Sequence, residues 1–165
     1  ASWRKLTMNY YFYDWTCCYY YNEQITKTRS FIDSWVEGEK SFSVVMTGIT
    51  GYEHIYAPLF LERNKNYKIS FEYNIPSKLE GGTPQKSLRF QILSDTPNTK
   101  LNEDIQLNQT NGSGYVDCPG ESSGSTKMEF EIKNSGTYYF NINCSAGFDN
   151  RTTEFTISNL LVTEI

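Results

Sequence analysis

Apolar and polar residues alternate along most of this chain. From Tyr67 to Ile75, Tyr67, Ile69, Phe71, Tyr73 and Ile75 are separated by Lys68, Ser70, Glu72 and Asn74, the period of two expected of a strand buried on one side. Leu88, Phe90 and Ile92 repeat that rhythm around Arg89 and Gln91, and Met128, Phe130 and Ile132 repeat it among Lys127, Glu129, Glu131 and Lys133. Beyond the turn Asn134-Ser135-Gly136, the run Tyr138, Phe140, Ile142, Cys144 alternates with Tyr139, Asn141 and Asn143. This predicts a hairpin with the preceding strand, with Cys144 on the core side. Further strands are predicted over 41–47, 53–61 and 153–165, and no segment of helical length carries an i, i+3, i+4 apolar stripe.

Two interruptions are informative. In the last strand Phe155 and Ile157 have one parity and Leu160 and Val162 the other, so an extra residue near Ser158-Asn159 is needed to bring all four inward, and a β-bulge is predicted there. The stretch from Asn98 to Thr126 holds Asn111-Gly112-Ser113-Gly114, Cys118-Pro119-Gly120 and Ser122-Ser123-Gly124-Ser125 and reads as a long surface loop. Strand signals continue on both sides of it, so residues 1–165 are expected to form a single domain. Eight or nine short strands joined by Gly-, Asn-, Ser- and Pro-rich loops predict an all-β fold, a two-sheet antiparallel β-sandwich of jelly-roll type.

Composition narrows the chemistry. The 165 residues carry a formal charge of -4 and are 38% hydrophobic; without a basic field, nucleic acid is not an expected partner, and without a run of about 20 apolar residues, membrane insertion is not expected. Cys17, Cys18, Cys118 and Cys144 form no C-x-x-C pattern and His54 is the sole histidine, so no metal site is expected. No Gly-x-Ser-x-Gly elbow and no phosphate-cradling loop occurs, and the scattered carboxylates offer no distinguishable pair. The expectation is therefore no enzyme, no catalytic residue and no cofactor. The opening Ala1-Ser2-Trp3 lacks a starting Met, as expected of a mature fragment or an excised domain, and a module of a larger multidomain protein is expected.

The aromatic content is high, with 13 Tyr, 10 Phe and 3 Trp. Eight aromatics crowd the twelve residues from Tyr10 to Tyr21, more than one strand face can bury, so several are expected at the surface as stacking platforms. By strand parity Tyr52, His54 and Tyr56 share one side, and Arg89 with Gln91 and Tyr139 with Asn141 also face away from the core. Aromatic rings mixed with amide and guanidinium groups suit a neutral polyhydroxylated ligand. The candidate ligand-binding residues are thus Tyr52, His54, Tyr56, Arg89, Gln91, Tyr139, Asn141, Trp15, Trp35 and Tyr20. The ordinary alternative for each polar member is a solvated sheet face.

The order of segments Phe42-Ser43-Val44-Val45-Met46-Thr47-Gly48, Ile55-Tyr56-Ala57-Pro58-Leu59 and Leu61-Glu62-Arg63-Asn64-Lys65-Asn66-Tyr67-Lys68-Ile69-Ser70-Phe71-Glu72-Tyr73, with Gly136-Thr137-Tyr138-Tyr139-Phe140 and a closing Phe155–Ile165 strand, resembles the family 4/9-type carbohydrate-binding modules. Asn64 stands in the region where that family carries glycine. The likeness covers residues 41–75 and 126–165. It implies a jelly-roll module of a secreted or bacterial cell-surface protein that binds polysaccharide or oligosaccharide by aromatic stacking, in a cleft on one sheet face or at an edge. Many relatives hold a structural calcium through an Asp in the last strand; Ser158 stands there instead, a weak calcium ligand. The rival expectation is a structural or protein-interaction module of a surface adhesin or phage tail.

Overall fold

The computed structural model describes residues 15–21, 24–26, 42–46, 51–75, 88–97, 107–109, 112–113, 115–119, 122–147 and 153–165. In chain order these hold β1 (Thr16–Tyr21), β2 (Gln24–Thr26), β3 (Phe42–Met46), β4 (Gly51–Leu61), β5 (Lys65–Ile75), β6 (Leu88–Leu93), β7 (Asn108–Gln109), β8 (Gly112–Ser113), β9 (Tyr115–Cys118), β10 (Ser122–Ile132), β11 (Gly136–Gly147) and β12 (Thr153–Glu164). One sheet has the order β2-β1-β4-β11-β6-β9 and the other β10-β5-β12-β3, every pairing being antiparallel, while β7 and β8 form a small ribbon of their own. The two larger sheets enclose one apolar core, as the alternation requires of a β-sandwich.

That core is built by the inward parity of both sheets. Ile55, Ala57, Leu59, Leu61, Leu88, Phe90, Ile92, Phe140 and Ile142 meet Tyr67, Ile69, Phe71, Ile75, Met128, Phe130, Ile132, Phe155, Ile157, Leu160 and Val162, all buried. Phe71 joins the layers: its ring centroid lies 4.6 Å from Phe90 and 6.0 Å from Phe140 on the facing sheet. Each of the Leu, Ile, Val, Met and Phe side chains contributes about 1.5–3 kcal/mol by leaving water.

The expected hairpin between β10 and β11 does not form. β10 pairs along its whole length with β5, from Ser122↔Ile75 to Ile132↔Lys65, whereas β11 pairs with β4 and β6 in the other sheet. The turn at Lys133–Ser135 therefore arches over the end of the core, beside a second arch at Glu62–Asn64 that links β4 to β5. The arches are bonded together. The Asn64 N–H donates to Ile132 O at 2.8 Å and the Arg63 N–H to Ser135 Oγ at 2.7 Å, while the Tyr138 hydroxyl donates to Asn134 O at 2.6 Å. Asn64 has φ 62°, the left-handed conformation that Gly adopts freely and Asn tolerates better than most residues.

The bulge in β12 forms where parity puts it. Register shifts between Ser158↔Glu72 and Leu161↔Ser70, so that Asn159 and Leu160 together oppose Phe71, and Asn159 has φ 52°. Phe155, Ile157, Leu160 and Val162 are consequently all buried. The expected loop over 98–126 is overturned in part, because β7, β8, β9 and the first residues of β10 fall within it. Tyr115-Val116-Asp117-Cys118 pairs with β6 from Gln91↔Tyr115 to Leu88↔Cys118, with Val116 packed against the core and Cys118 inside it. This short alternation is flanked by glycines that masked it.

Candidate functional site

The sheet containing β4, β11, β6 and β9 has a second face, opposite the core, and strand register determines which residues share it. One row crosses the strands as Tyr56↔Asn141↔Gln91↔Tyr115, and the next as His54↔Asn143↔Arg89↔Asp117. A third runs Pro58↔Tyr139↔Leu93. Tyr56 and Tyr115 stand three strands apart, about 14 Å at ordinary strand spacing, with the two amide side chains between them.

The centre of this face is not open to water. His54, Gln91 and Asn141 are 1%, 2% and 0% exposed, which corrects the expectation that they lie at the surface. Burial requires polar groups to find partners, and these find one another: Asn141 Nδ2 donates to Gln91 Oε1 at 2.9 Å and lies 3.3 Å from His54 Nδ1. With Asn141 donating, Nδ1 is the acceptor and the proton of the neutral imidazole sits on Nε2. Burial lowers the His54 pKa to about 4, opposed by the Asn141 hydrogen bond. Two further carbonyl oxygens, Asn141 Oδ1 and Asn143 Oδ1, are buried with no hydrogen-bond partner among the described residues.

Around this buried chain the aromatic groups stay partly in solvent. Tyr56 and Tyr139 are half-buried and meet edge to face, with ring centroids 5.8 Å apart. At the β9 edge Tyr115 is 37% exposed, and the Arg89 guanidinium sits over its ring at 4.4 Å. The guanidinium is also clamped by Asp117, with Nε donating to Oδ1 at 2.7 Å and Nη2 to Oδ2 at 2.9 Å. A bidentate fork of this kind fixes the plane of both groups, so Arg89 holds the Tyr115 ring as an oriented platform. Among the described residues, Arg89 and Asp117 are the charged groups of this face, and they neutralise each other.

Six of the ten residues expected at a binding site are thus gathered here: His54, Tyr56, Arg89, Gln91, Tyr139 and Asn141. Trp15 is a correction. It is 4% exposed and packs edge-on against Phe140 at 6.3 Å, because its parity in the segment leading into β1 is that of Cys17, which pairs with Ile55 on the core side. Tyr20 and Tyr52 are register partners in β1 and β4, but their side chains lie outside the described residues, as does Trp35. Sequence reasoning missed Tyr115 and Asp117, assigned to a loop, although their alternation with Val116 and Cys118 was the available signal. It also missed Phe60, 57% exposed on the same parity of β4 as Tyr56.

The corner at Ser158 does not suit a calcium ion. Asn159 Nδ2 donates to Glu72 Oε2 at 2.8 Å and the Ser158 hydroxyl approaches the same oxygen at 3.4 Å, so these side chains offer hydrogens to a carboxylate rather than oxygens to a cation.

No family model matches the sequence, and no curated protein matches it significantly. Solved structures do share the fold. The adhesin domain of Epf from Streptococcus pyogenes superposes with a TM-score of 0.58 at 11% identity, over 92% of this chain and 59% of that one. The enzymatically active domain of bacteriophage CBA120 tailspike protein 4 gives 0.54 at 11% identity, again over 92% of this chain but 19% of that one. A carbohydrate-binding module of family 4 gives 0.53 at 8% identity and matches in length, over 92% of this chain and 94% of the module. The chain thus spans under two thirds of the adhesin and tailspike chains it superposes on, and its architecture is a β-sandwich of the kind seen in carbohydrate-binding modules.

Proposed function

We propose that this protein is a non-catalytic module that binds a polysaccharide on the outer face of its six-stranded sheet. The observation that carries this reading is the row Tyr56–Asn141–Gln91–Tyr115, two partly exposed aromatic rings flanking a buried amide pair. Aromatic faces stack on the apolar faces of sugar rings, and the span between them accommodates a short run of linked rings. Tyr56, Tyr139, Tyr115 and Arg89 make the contacts. Gln91, Asn141 and His54 act from beneath as positioning residues, since they are buried and Asn141 Nδ2 links the other two. The module acts outside the cell or at its surface, as part of a larger protein, as the family resemblance implies, and residues 1–165 act as one domain.

Affinity electrophoresis through gels containing soluble starch, mixed-linkage β-glucan, xylan or mannan tests this. Retardation in at least one polymer, lost in Tyr56→Ala and Tyr139→Ala, is expected; unchanged mobility of the wild type in all of them refutes it. Two observations favour a second reading, a protein-interaction module: Phe60 presents an apolar ring to solvent at 57% exposure, and the fold is shared with an adhesin domain. Concentration-dependent self-association without glycan binding distinguishes it.

A further inference from the structure

We infer that Asp117 sets the charge specificity of this face: by holding Arg89 in a bidentate ion pair, it restricts binding to uncharged glycans and turns away uronate-bearing or sulfated ones. The inference rests on the glycan-binding reading above. A half-exposed arginine beside an aromatic platform is otherwise the standard recognition group for a carboxylate or sulfate, because its planar fork matches two acceptor oxygens. Here that fork is filled from within. Nε and Nη2 each donate to a separate oxygen of Asp117, at 2.7 and 2.9 Å, and β6–β9 pairing places the two residues directly opposite each other. Neither group is sunk in the core, with side-chain exposures of 35% and 37%, so the pair confronts any ligand lying between Tyr115 and Tyr56.

An anionic sugar that reached this position would have to displace a carboxylate already held at two points, and would meet the repulsion of that carboxylate as it did so. The chain's formal charge of -4 adds to that repulsion for a polyanion. A neutral sugar meets no such obstacle, since hydroxyl groups hydrogen-bond to the outer edges of the pair without breaking it. Among the described residues, no other charged side chain stands on this face. Asp117 orients Arg89 and cancels its charge; Arg89 in turn holds the Tyr115 ring, 4.4 Å below it.

The test compares wild type, Asp117→Asn and the double variant Arg89→Gln/Asp117→Asn in gels of the four neutral polymers and of polygalacturonate, with thermal melts confirming that each variant is folded. The expected result is that wild type is retarded by a neutral polymer and not by polygalacturonate. Asp117→Asn, nearly isosteric but uncharged, gains affinity for polygalacturonate by about ten-fold or more at low salt, an effect that 0.5 M salt screens away, and the double variant shows no gain. Retardation of wild type by polygalacturonate as strong as by a neutral polymer overturns the charge selection and leaves glycan binding standing. So does the absence of any gain in folded Asp117→Asn. Wild type that no neutral polymer retards refutes the glycan-binding reading itself, and the charge selection with it.

Discussion

Asn141 on β11 and Gln91 on β6 are register partners whose buried amides share one hydrogen bond, Asn141 Nδ2 to Gln91 Oε1 at 2.9 Å. Because the same nitrogen also reaches His54 at 3.3 Å, truncating Asn141 strands acceptors on two neighbouring strands at once. Asn141→Ala is therefore expected to destabilise the protein by about 2–4 kcal/mol, from cavity and unpaired polar groups together. Urea unfolding at neutral pH measures it; a loss under about 0.5 kcal/mol would show that the chain of polar groups holds nothing in place.

The histidine in that chain makes stability depend on pH. Its pKa is lowered to about 4 in the folded protein, against about 6.5 when unfolded. Between those values the unfolded state binds more protons, so stability rises with pH across the window and is lost as pH falls from 6.5 through 4. The full effect is about 3 kcal/mol. Denaturation midpoints at pH 7 and pH 4.5 in wild type and His54→Gln isolate it, since the variant lacks the titrating group and is expected to show a shallower acid decline.

Trp15, just before β1, and Tyr139 in β11 are both large aromatics, and their removal has opposite signatures. Trp15 lies in the core against Phe140, so Trp15→Ala is expected to cost about 3–5 kcal/mol. Tyr139, half-buried on the opposite face, meets Tyr56 edge to face; Tyr139→Ala is expected to cost about 1–2 kcal/mol while abolishing polymer retardation. A Trp15→Ala variant of undiminished stability would contradict the burial of that ring.

Cys118 carries a buried thiol, 1% exposed, whose pKa is pushed up to about 12 by burial and by the neighbouring Asp117 carboxylate. A thiol held protonated and out of solvent is a poor nucleophile. Iodoacetamide at pH 8 is expected to leave the Cys118 peptide unmodified in native protein and to label it within minutes in urea, as read by peptide mass mapping. Labelling in the native protein at the unfolded rate would be incompatible with this burial.

The limits of sequence reading follow from what alternation encodes. Period two states which residues face inward, and it recovered β5, β6, β11, β12 and the second half of β10 together with the bulge at Asn159, because the parity break between Ile157 and Leu160 leaves no other way to bury both. It does not state which sheet a strand joins. Asn134-Ser135-Gly136 signals a chain reversal, and a hairpin and an arch both need one; pairing of β10 with β5 is decided by contacts far away in sequence. The candidate face was legible for the same reason, parity alone having selected His54, Tyr56, Arg89, Gln91, Tyr139 and Asn141. Their burial was not legible, since exposure depends on what surrounds a position rather than on its parity.

The twin arches at Glu62–Asn64 and Lys133–Ser135 bear on how the chain finds its fold. Each delivers its two strands to different sheets, so neither reversal rewards the chain with a local ladder. The long pairings unite distant residues instead, Leu61 with Gly136 and Phe71 with Thr126. A chain of this topology closes large loops before it gains much contact, and refolding is expected to be slow for its size, on the order of milliseconds to seconds. While it waits, its tyrosine-rich strands are unpaired, so the fold that displays an aromatic face also prolongs the interval in which those strands can find one another on different molecules.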